Sequence, residues 1–139
     1  MATIYSTGIE VLLNGTVSWA NSSIKALIVD SGYTFDKSDE FVSDLSADEV
    51  TNAVGTGYAR KTLTNKTVTL ATDVVTLDAD DLLYTAVQTN ETWDALIVYA
   101  EGSGDANSPL LAYLNIDNLV TNGSDASITL TGVLAIDNS

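Results

Sequence analysis

The chain has 139 residues, which is enough for one domain whose buried core needs no disulfide bonds. Nineteen acidic and five basic residues give a formal net charge of −14, which argues against nucleic-acid or anionic-membrane binding. The chain has no Cys and no His, so disulfides, thiolate metal sites and Ser-His-Asp or Cys-His catalysis are excluded. We therefore expect a non-enzymatic protein that needs no cofactor.

The N-terminal part predicts a hairpin followed by a buried strand. Residues 9–13 and 16–20 are β-prone and flank Asn14-Gly15, which is a strong signal for a two-residue hairpin turn. Residues 24–29 form an apolar run, which predicts a central strand. The preceding residues 1–7 are compatible with an ordered strand or with an N-terminal arm that exchanges between subunits.

One short helix is predicted over residues 47–53. Ser46 and Glu49 fit a capping box at its start, and Gly55 fits the left-handed residue that ends many helices. A helix of two turns is unstable alone, so we expect it to pack against a sheet.

The rest of the chain predicts strands. They cover residues 58–63, 67–71, 74–77, 82–87, 94–100, 110–116, 127–131 and 133–136. Alternation in residues 67–70 predicts that Val68 and Leu70 face inward, and Gly132 predicts a bulge. The letters ALIV occur at 26–29 and 95–98, which we treat as a chance repeat within two core strands. The pattern predicts a single all-β domain over residues 1–139 with one short helix: a β-sandwich or partly open barrel, jelly-roll-like.

Basic residues are concentrated in one segment, which reads GTGYARKTLTNKTVTL. It contains Arg60, Lys61 and Lys66, three of the five cations in the chain. The charges could protect a sheet edge, balance nearby carboxylates, or contact acidic groups of a neighbouring subunit. The sequence leaves these alternatives open.

Three aromatic residues, Tyr33, Phe35 and Phe41, lie around an acidic loop. Such side chains could anchor a protein partner, stack on a sugar, or fill the core beneath a long loop. Trp19 and Trp93 are predicted to lie in the core.

Two acidic clusters are candidate Ca²⁺ sites, because this ion prefers several oxygen ligands. One contains Asp78, Asp80 and Asp81, and the other lies in residues 36–40. Neither has the spacing of an EF-hand loop, and a solvated turn is the alternative. Carboxylates are so abundant that no pair can be assigned to glycoside hydrolysis.

Several segments together resemble a known group of proteins. They read IKALIVDSGYTFDKSDEFVSDL, GTGYARKTLTNKTVTL, LDADDLLYTA, WDALIVYAEGSGDANSPLLAYL and TNGSDASITLTG. Their order, over residues 24–132, resembles small virion structural proteins of tailed bacteriophages, in particular head decoration (cement) proteins. The resemblance implies a protein made in the bacterial cytoplasm that binds the major capsid protein on the outer head surface and stabilises the lattice. It also implies a homotrimer, and it assigns no catalytic residue.

The expected interface comprises both candidate groups, Tyr33, Phe35 and Phe41 with Arg60, Lys61 and Lys66. The alternatives are a carbohydrate-binding adhesin and a tail-associated structural subunit. We expect neither nucleic acid nor a membrane as a partner.

Overall fold

A computed structural model describes residues 2–45, 47–50 and 57–137. Within these residues the chain forms ten strands and one α-helix, joined by turns and two short 3-10 helices. The elements are β1 (Thr3–Ile4), α1 (Ser6–Leu13), β2 (Ile24–Val29), β3 (Lys61–Thr62), β4 (Thr67–Ala71), β5 (Val74–Asp78), β6 (Leu82–Tyr84), β7 (Thr89–Ala100), β8 (Leu110–Asn122), β9 (Ala126–Ile128) and β10 (Leu134–Asp137). The predicted all-β class with one short helix is confirmed.

The largest sheet has the strand order β1-β8-β7-β2-β3, and its neighbouring strands are antiparallel. The two ALIV segments pair with each other in this sheet, with Ala26 opposite Val98 and Val29 opposite Ala95. All eight of these residues are buried, which confirms the prediction that both strands belong to the core.

Both faces of this sheet are covered, because alternate residues of β2 and β7 enter two different clusters. Ala26 and Leu96 belong to the cluster shared with the smaller sheets, which have the orders β10-β5-β4 and β6-β9. Leu27 and Ile97 belong to a second cluster, which contains side chains from the loop between β2 and the 3-10 helix Val42–Leu45. The predicted core positions of Trp19 and Trp93 are confirmed, since both lie in the first cluster.

The predicted hairpin over residues 9–20 is wrong, because residues 9–13 belong to helix α1. Asn14 caps the C-terminus of the helix, and Gly15 follows with φ +80°. Asn-Gly suits this left-handed ending as well as it suits a hairpin turn. The amide of Val17 donates to the Val11 carbonyl at 3.0 Å and folds the chain back over the helix end.

The predicted helix over 47–53 is wrong for the part that the structure describes, and its residues 51–53 lie outside the described residues. Ala47 and Asp48 are in a turn, and Glu49 forms a β-bridge with Val29. The amide of Val50 donates to Ile28 at 3.0 Å. This pairing with the edge of β2 gives the segment backbone partners that an isolated two-turn helix would lack.

The predicted inward orientation of Val68 and Leu70 is also wrong. Their side chains share a face with the buried Leu77, but they are 53% and 73% exposed. Strand β4 is the edge of its sheet and extends beyond the core that Leu77 covers.

Other segments differ from the predictions mainly in length. Only Lys61–Thr62 of the predicted strand 58–63 forms a strand, although the Leu63 amide also donates to Ile24 of β2 at 2.8 Å, whereas β7 and β8 extend beyond their predicted bounds. Gly132 has φ +71° and precedes β10. At the N-terminus, Thr3–Ile4 pairs with β8 of the same chain, and Tyr5 is fully buried.

Candidate interaction surface

Arg60 lies at the centre of an ionic network within the chain. Its Nε and Nη2 atoms donate to the two carboxylate oxygens of Glu49 at 2.8 and 2.6 Å. Its Nη1 and Nη2 atoms donate to Asp105 at 2.7 and 2.9 Å. Tyr58 donates to Glu49 at 2.7 Å, and the guanidinium carbon lies 5.7 Å from the centre of the Tyr99 ring. Arg60 therefore joins three separate segments of the chain.

The network changes the ionisation of its members. Hydrogen bonds to Glu49, and then to Asp105, raise the pKa of Arg60 above its ordinary value. The hydrogen bond from Arg60 lowers the pKa of Asp105. Both shifts favour the charged forms, as expected for fork-like pairing between a guanidinium and carboxylates.

The other two cations of the basic segment also contact the chain itself. The Lys61 ammonium lies 5.1 Å from the centre of the Tyr84 ring, within the range of a cation–π contact. The Lys66 ammonium donates to the backbone carbonyl of Ser22. Together with the pairing of Arg60, these contacts show that the three cations bind groups of their own chain. Of the alternatives that the sequence left open, this favours local charge balance over contact with a neighbouring subunit.

Of the three aromatic candidates, Tyr33 and Phe35 pack inside the second core cluster. The Tyr33 hydroxyl lies 2.9 Å from that of Tyr5 and donates to Asp39 at 2.8 Å. Burial, more than the hydrogen bond to Asp39, raises the pKa of Tyr33 to about 12. The Phe35 ring lies 5.0 and 5.2 Å from the rings of Tyr5 and Tyr113.

Phe41 lies apart from these two residues. It forms a β-bridge with Pro109, and its side chain is half-buried beside a groove of about 340 Å³. The three predicted aromatic residues therefore do not form one exposed platform.

The acidic triplet is divided among separate hydrogen-bond partners. Asp78 accepts from the amides of Ala79 and Gly132 at 2.9 and 3.1 Å. Asp80 accepts from the side chains of Thr64 and Asn65 at 3.0 and 2.5 Å, respectively. Asp81 accepts from the Leu130 amide at 2.7 Å. These contacts tie loops together.

The second acidic cluster, in residues 36–40, is likewise used within its own loop. Asp36 accepts from the Ser38 amide and hydroxyl, which lower its pKa, and Asp39 accepts from Tyr33. Across residues 2–45, 47–50 and 57–137, no three acidic side chains converge in a group that could hold a metal ion.

An apolar face that the sequence did not identify as a site lies on the β10-β5-β4 sheet. Leu70, Val75 and Ile136 lie directly opposite one another across its three strands. Leu70 and Ile136 are 73% and 52% exposed, and Val68 extends the row along β4. We call Val68, Leu70, Val75 and Ile136 the apolar face.

A groove extends this face toward the helix. It has a volume of about 470 Å³ and lies between α1 and β10. The exposed Ile9 and Leu13 line it on the helix side, and Ile136 lines it on the strand side. The face and groove together expose five large apolar side chains, namely Ile9, Leu13, Val68, Leu70 and Ile136.

The charges of the bordering elements have one sign. Strands β4 and β5 and the β4–β5 turn include Asp73 and Asp78, and no Lys or Arg. The face is therefore an uncharged surface in an acidic surrounding. The alternation in residues 67–70 gave a signal for its apolar side, but the exposure depends on how far β4 extends beyond the core.

No helix within the described part of the chain is long and apolar enough to cross a membrane. Comparison of the chain with protein-family models, with curated proteins and with solved structures gave no match.

Proposed function

We propose that this chain is a virion structural protein of a tailed bacteriophage that acts by binding other proteins rather than by catalysis. Its specific role is that of a decoration protein on the outer surface of the head. There it binds the major capsid protein and stabilises the lattice against the pressure of packaged DNA. The order of motifs over residues 24–132 supports this assignment.

The observation that carries the proposal is the exposed apolar face. Leu70 and Ile136 expose more than half of their surface on either side of Val75, on the same face of the sheet. Large exposed apolar patches in a charged protein are typical of protein-binding surfaces. A homotrimer that engages several lattice sites at once gains avidity from a modest affinity per site, so a patch of this kind suffices for a decoration protein.

The placement of the charged residues supports a protein partner over a nucleic acid. Phosphate binding requires free cations on one surface. Here Arg60 is paired with two carboxylates, and Lys66 donates to a backbone carbonyl. The net charge of −14 opposes the approach of DNA and favours a partner with basic residues.

The remaining parts of the proposal concern assembly and location. The protein is made in the bacterial cytoplasm and is incorporated into the virion. The homotrimer implied by the resemblance belongs to the same proposal, and light scattering after size exclusion tests it. A ring of six or twelve copies would instead favour a tail tube or connector subunit.

The test uses heads of the phage that carries this gene, stripped of the protein. We expect the purified chain to rebind them and to raise their resistance to heat. The double variant Leu70→Ser, Ile136→Ser is expected to bind about ten-fold or more weakly. Leu83→Ser is the matched control, because Leu83 is 52% exposed but lies on a different sheet.

Two results would overturn the proposal. Wild-type protein that does not bind stripped heads would exclude the decoration role. If antibodies label intact virions on the tail alone, the protein is a tail-associated subunit and not a head decoration protein.

A further inference from the structure

Among the described residues, the outer edge of β4 has backbone groups without a hydrogen-bond partner, and they lie beside the apolar face. We propose that this edge accepts an extended segment of the partner protein, flanked by basic residues, as an additional antiparallel or parallel strand. The inference deepens the proposed function, and it rests on that function only for the statement that the chain binds another protein.

The β4–β5 turn determines which backbone groups are free. Thr72 and Asp73 have φ +49° and +66°, as in the two-residue turn that leaves its flanking residues as a hydrogen-bonded pair. Ala71 and Val74 are that pair, so the alternation of an antiparallel ladder directs the amides and carbonyls of Val68 and Leu70 outward. Within the described chain, β4 ends its sheet and no further strand covers this edge.

This edge lacks the usual protection against strand addition. Natural edge strands carry charged residues, proline or a bulge, which prevent pairing with other chains. Strand β4 reads TVTLA, pairs with β5 without a register shift, and is exposed at all five residues. Lys66 immediately precedes it, but the Lys66 ammonium donates to the Ser22 carbonyl.

The side chains of an added strand would meet the apolar face. Residues of the new strand opposite Val68 and Leu70 would point to the same side as these two, because paired residues share a face. Apolar side chains at alternate positions would then cover surface that is 53% and 73% exposed in the free chain. Strand addition thus combines backbone hydrogen bonds for affinity with alternate side chains for specificity.

The charge of the surrounding elements identifies the kind of segment. Asp73 is exposed in the β4–β5 turn beside Leu70, and strands β4 and β5 and the turn between them contain no cation. A second copy of the chain would bring acidic residues toward acidic residues, in a protein whose net charge is −14. A segment with Lys or Arg on either side of an apolar alternating run would instead be attracted to this edge.

The probes are two synthetic peptides with the same alternating Val-Thr core, one flanked by paired lysines and one by paired glutamates. We expect the lysine peptide to bind at least about ten-fold more tightly at low salt, with the preference decreasing as salt is added. Amide hydrogen exchange should show new protection at Val68 and Leu70. Equal binding of the two peptides, binding of neither, or protection confined to other amides would overturn the inference.

Variants of β4 separate the backbone and charge contributions. Val68→Pro removes one outward amide without removing a β4–β5 hydrogen bond, and should abolish binding of the lysine peptide. Leu70→Lys should weaken binding of the lysine peptide more than Leu70→Glu does. Both variants remove the apolar side chain, but only the new lysine repels the basic residues that flank the peptide core. Circular dichroism and urea unfolding of each variant confirm that the fold is retained. If Leu70→Lys binds better than Leu70→Glu, the charge argument is wrong.

Two further outcomes distinguish this inference from the proposed function. Wild-type protein and Val68→Pro that rebind stripped heads equally well would overturn strand addition and leave the decoration role intact. Wild-type protein that binds the lysine peptide but no heads would leave strand addition standing without that role. Self-association of the free chain that Val68→Pro abolishes would assign the edge to a second copy and overturn the inference.

Discussion

Arg60 and Glu49 form a two-point ion pair in which Nε and Nη2 of the guanidinium contact separate carboxylate oxygens at 2.8 and 2.6 Å. Glu49 also forms a β-bridge with Val29, so the pair fixes the segment 47–50 to the main sheet. We predict that Arg60→Met lowers the free energy of unfolding by about 1–2 kcal/mol, because it removes the guanidinium from two carboxylates in a partly exposed site and leaves Glu49 with Tyr58 as its side-chain donor. Urea unfolding measures the change.

Two comparisons sharpen this prediction. Arg60→Lys keeps the charge but loses the fork geometry, and we expect an intermediate loss of stability. Lys25→Met breaks the exposed pair with Glu101 and should change stability far less. If Arg60→Met is as stable as wild type but no longer binds heads, this prediction is wrong and Arg60 acts at the interface, as its sequence context suggested.

Asp105 makes the same network sensitive to acid. Its pKa is lowered in the folded protein by the hydrogen bond from Arg60. The unfolded chain therefore binds a proton at a higher pH than the folded chain, and this contribution to stability is complete above about pH 4 and lost as pH falls further. We predict that Asp105→Asn has a shallower loss of melting temperature between neutral pH and pH 3 than wild type. Glu10→Gln, at an exposed position of helix α1, controls for the loss of one negative charge.

All six tyrosines have a pKa above the ordinary value of 10, and burial is the largest cause for each of them. For Tyr33 the value is about 12. The unfolded chain loses these protons at a lower pH than the folded chain does. The contribution of the buried tyrosines to the free energy of unfolding is therefore fully present below about pH 10 and decreases as pH rises toward 12. We predict that tyrosinate absorbance appears together with unfolding rather than as a separate step near pH 10. A separate step in the still-folded protein would contradict this burial.

The β4–β5 turn carries backbone strain that its residues do not relieve. Thr72 and Asp73 both have positive φ, and a β-branched residue is unfavourable there. We predict that Thr72→Asn combined with Asp73→Gly raises the free energy of unfolding by about 1 kcal/mol, because Asn-Gly is preferred in this turn. Thr69→Asn, the same replacement in the extended strand β4, should give no gain. Equal effects at the two positions would argue against a turn-specific cause.

Sequence patterns predicted the central strands well because their information is local. The ALIV runs are apolar at every position, and such runs are typical of strands that are buried on both faces. The partners of the candidate site residues were not predictable in the same way. Glu49 and Asp105 lie 11 and 45 residues from Arg60, and nothing in the local sequence connects them.

The exposed apolar face illustrates a different limit. Alternation placed Val68 and Leu70 on one side of β4, which is the side that Leu77 occupies on β5, but the prediction that this side is buried was wrong. Whether that side is covered depends on how far the small sheet extends beyond the large one, which is a property of the tertiary arrangement. An apolar, alternating strand therefore has the same sequence pattern whether it covers the core of its own chain or is exposed and binds a partner.

Gly8 allows helix α1 to pack closely against β8, and it gives the sharpest test of that packing. A Cβ atom at Gly8 would lie 2.7 Å from the carbonyl oxygen and 2.8 Å from the Cα atom of Leu111. Replacing glycine with alanine inside a helix normally stabilises by about 0.5–1 kcal/mol. Here we predict that Gly8→Ala destabilises by about 1–3 kcal/mol, since helix α1 must move away from β8. Thr7→Ala, in the same helix, should be nearly neutral. A stabilising Gly8→Ala would show that the helix does not pack against β8, whereas the predicted loss requires the close contact that only glycine permits.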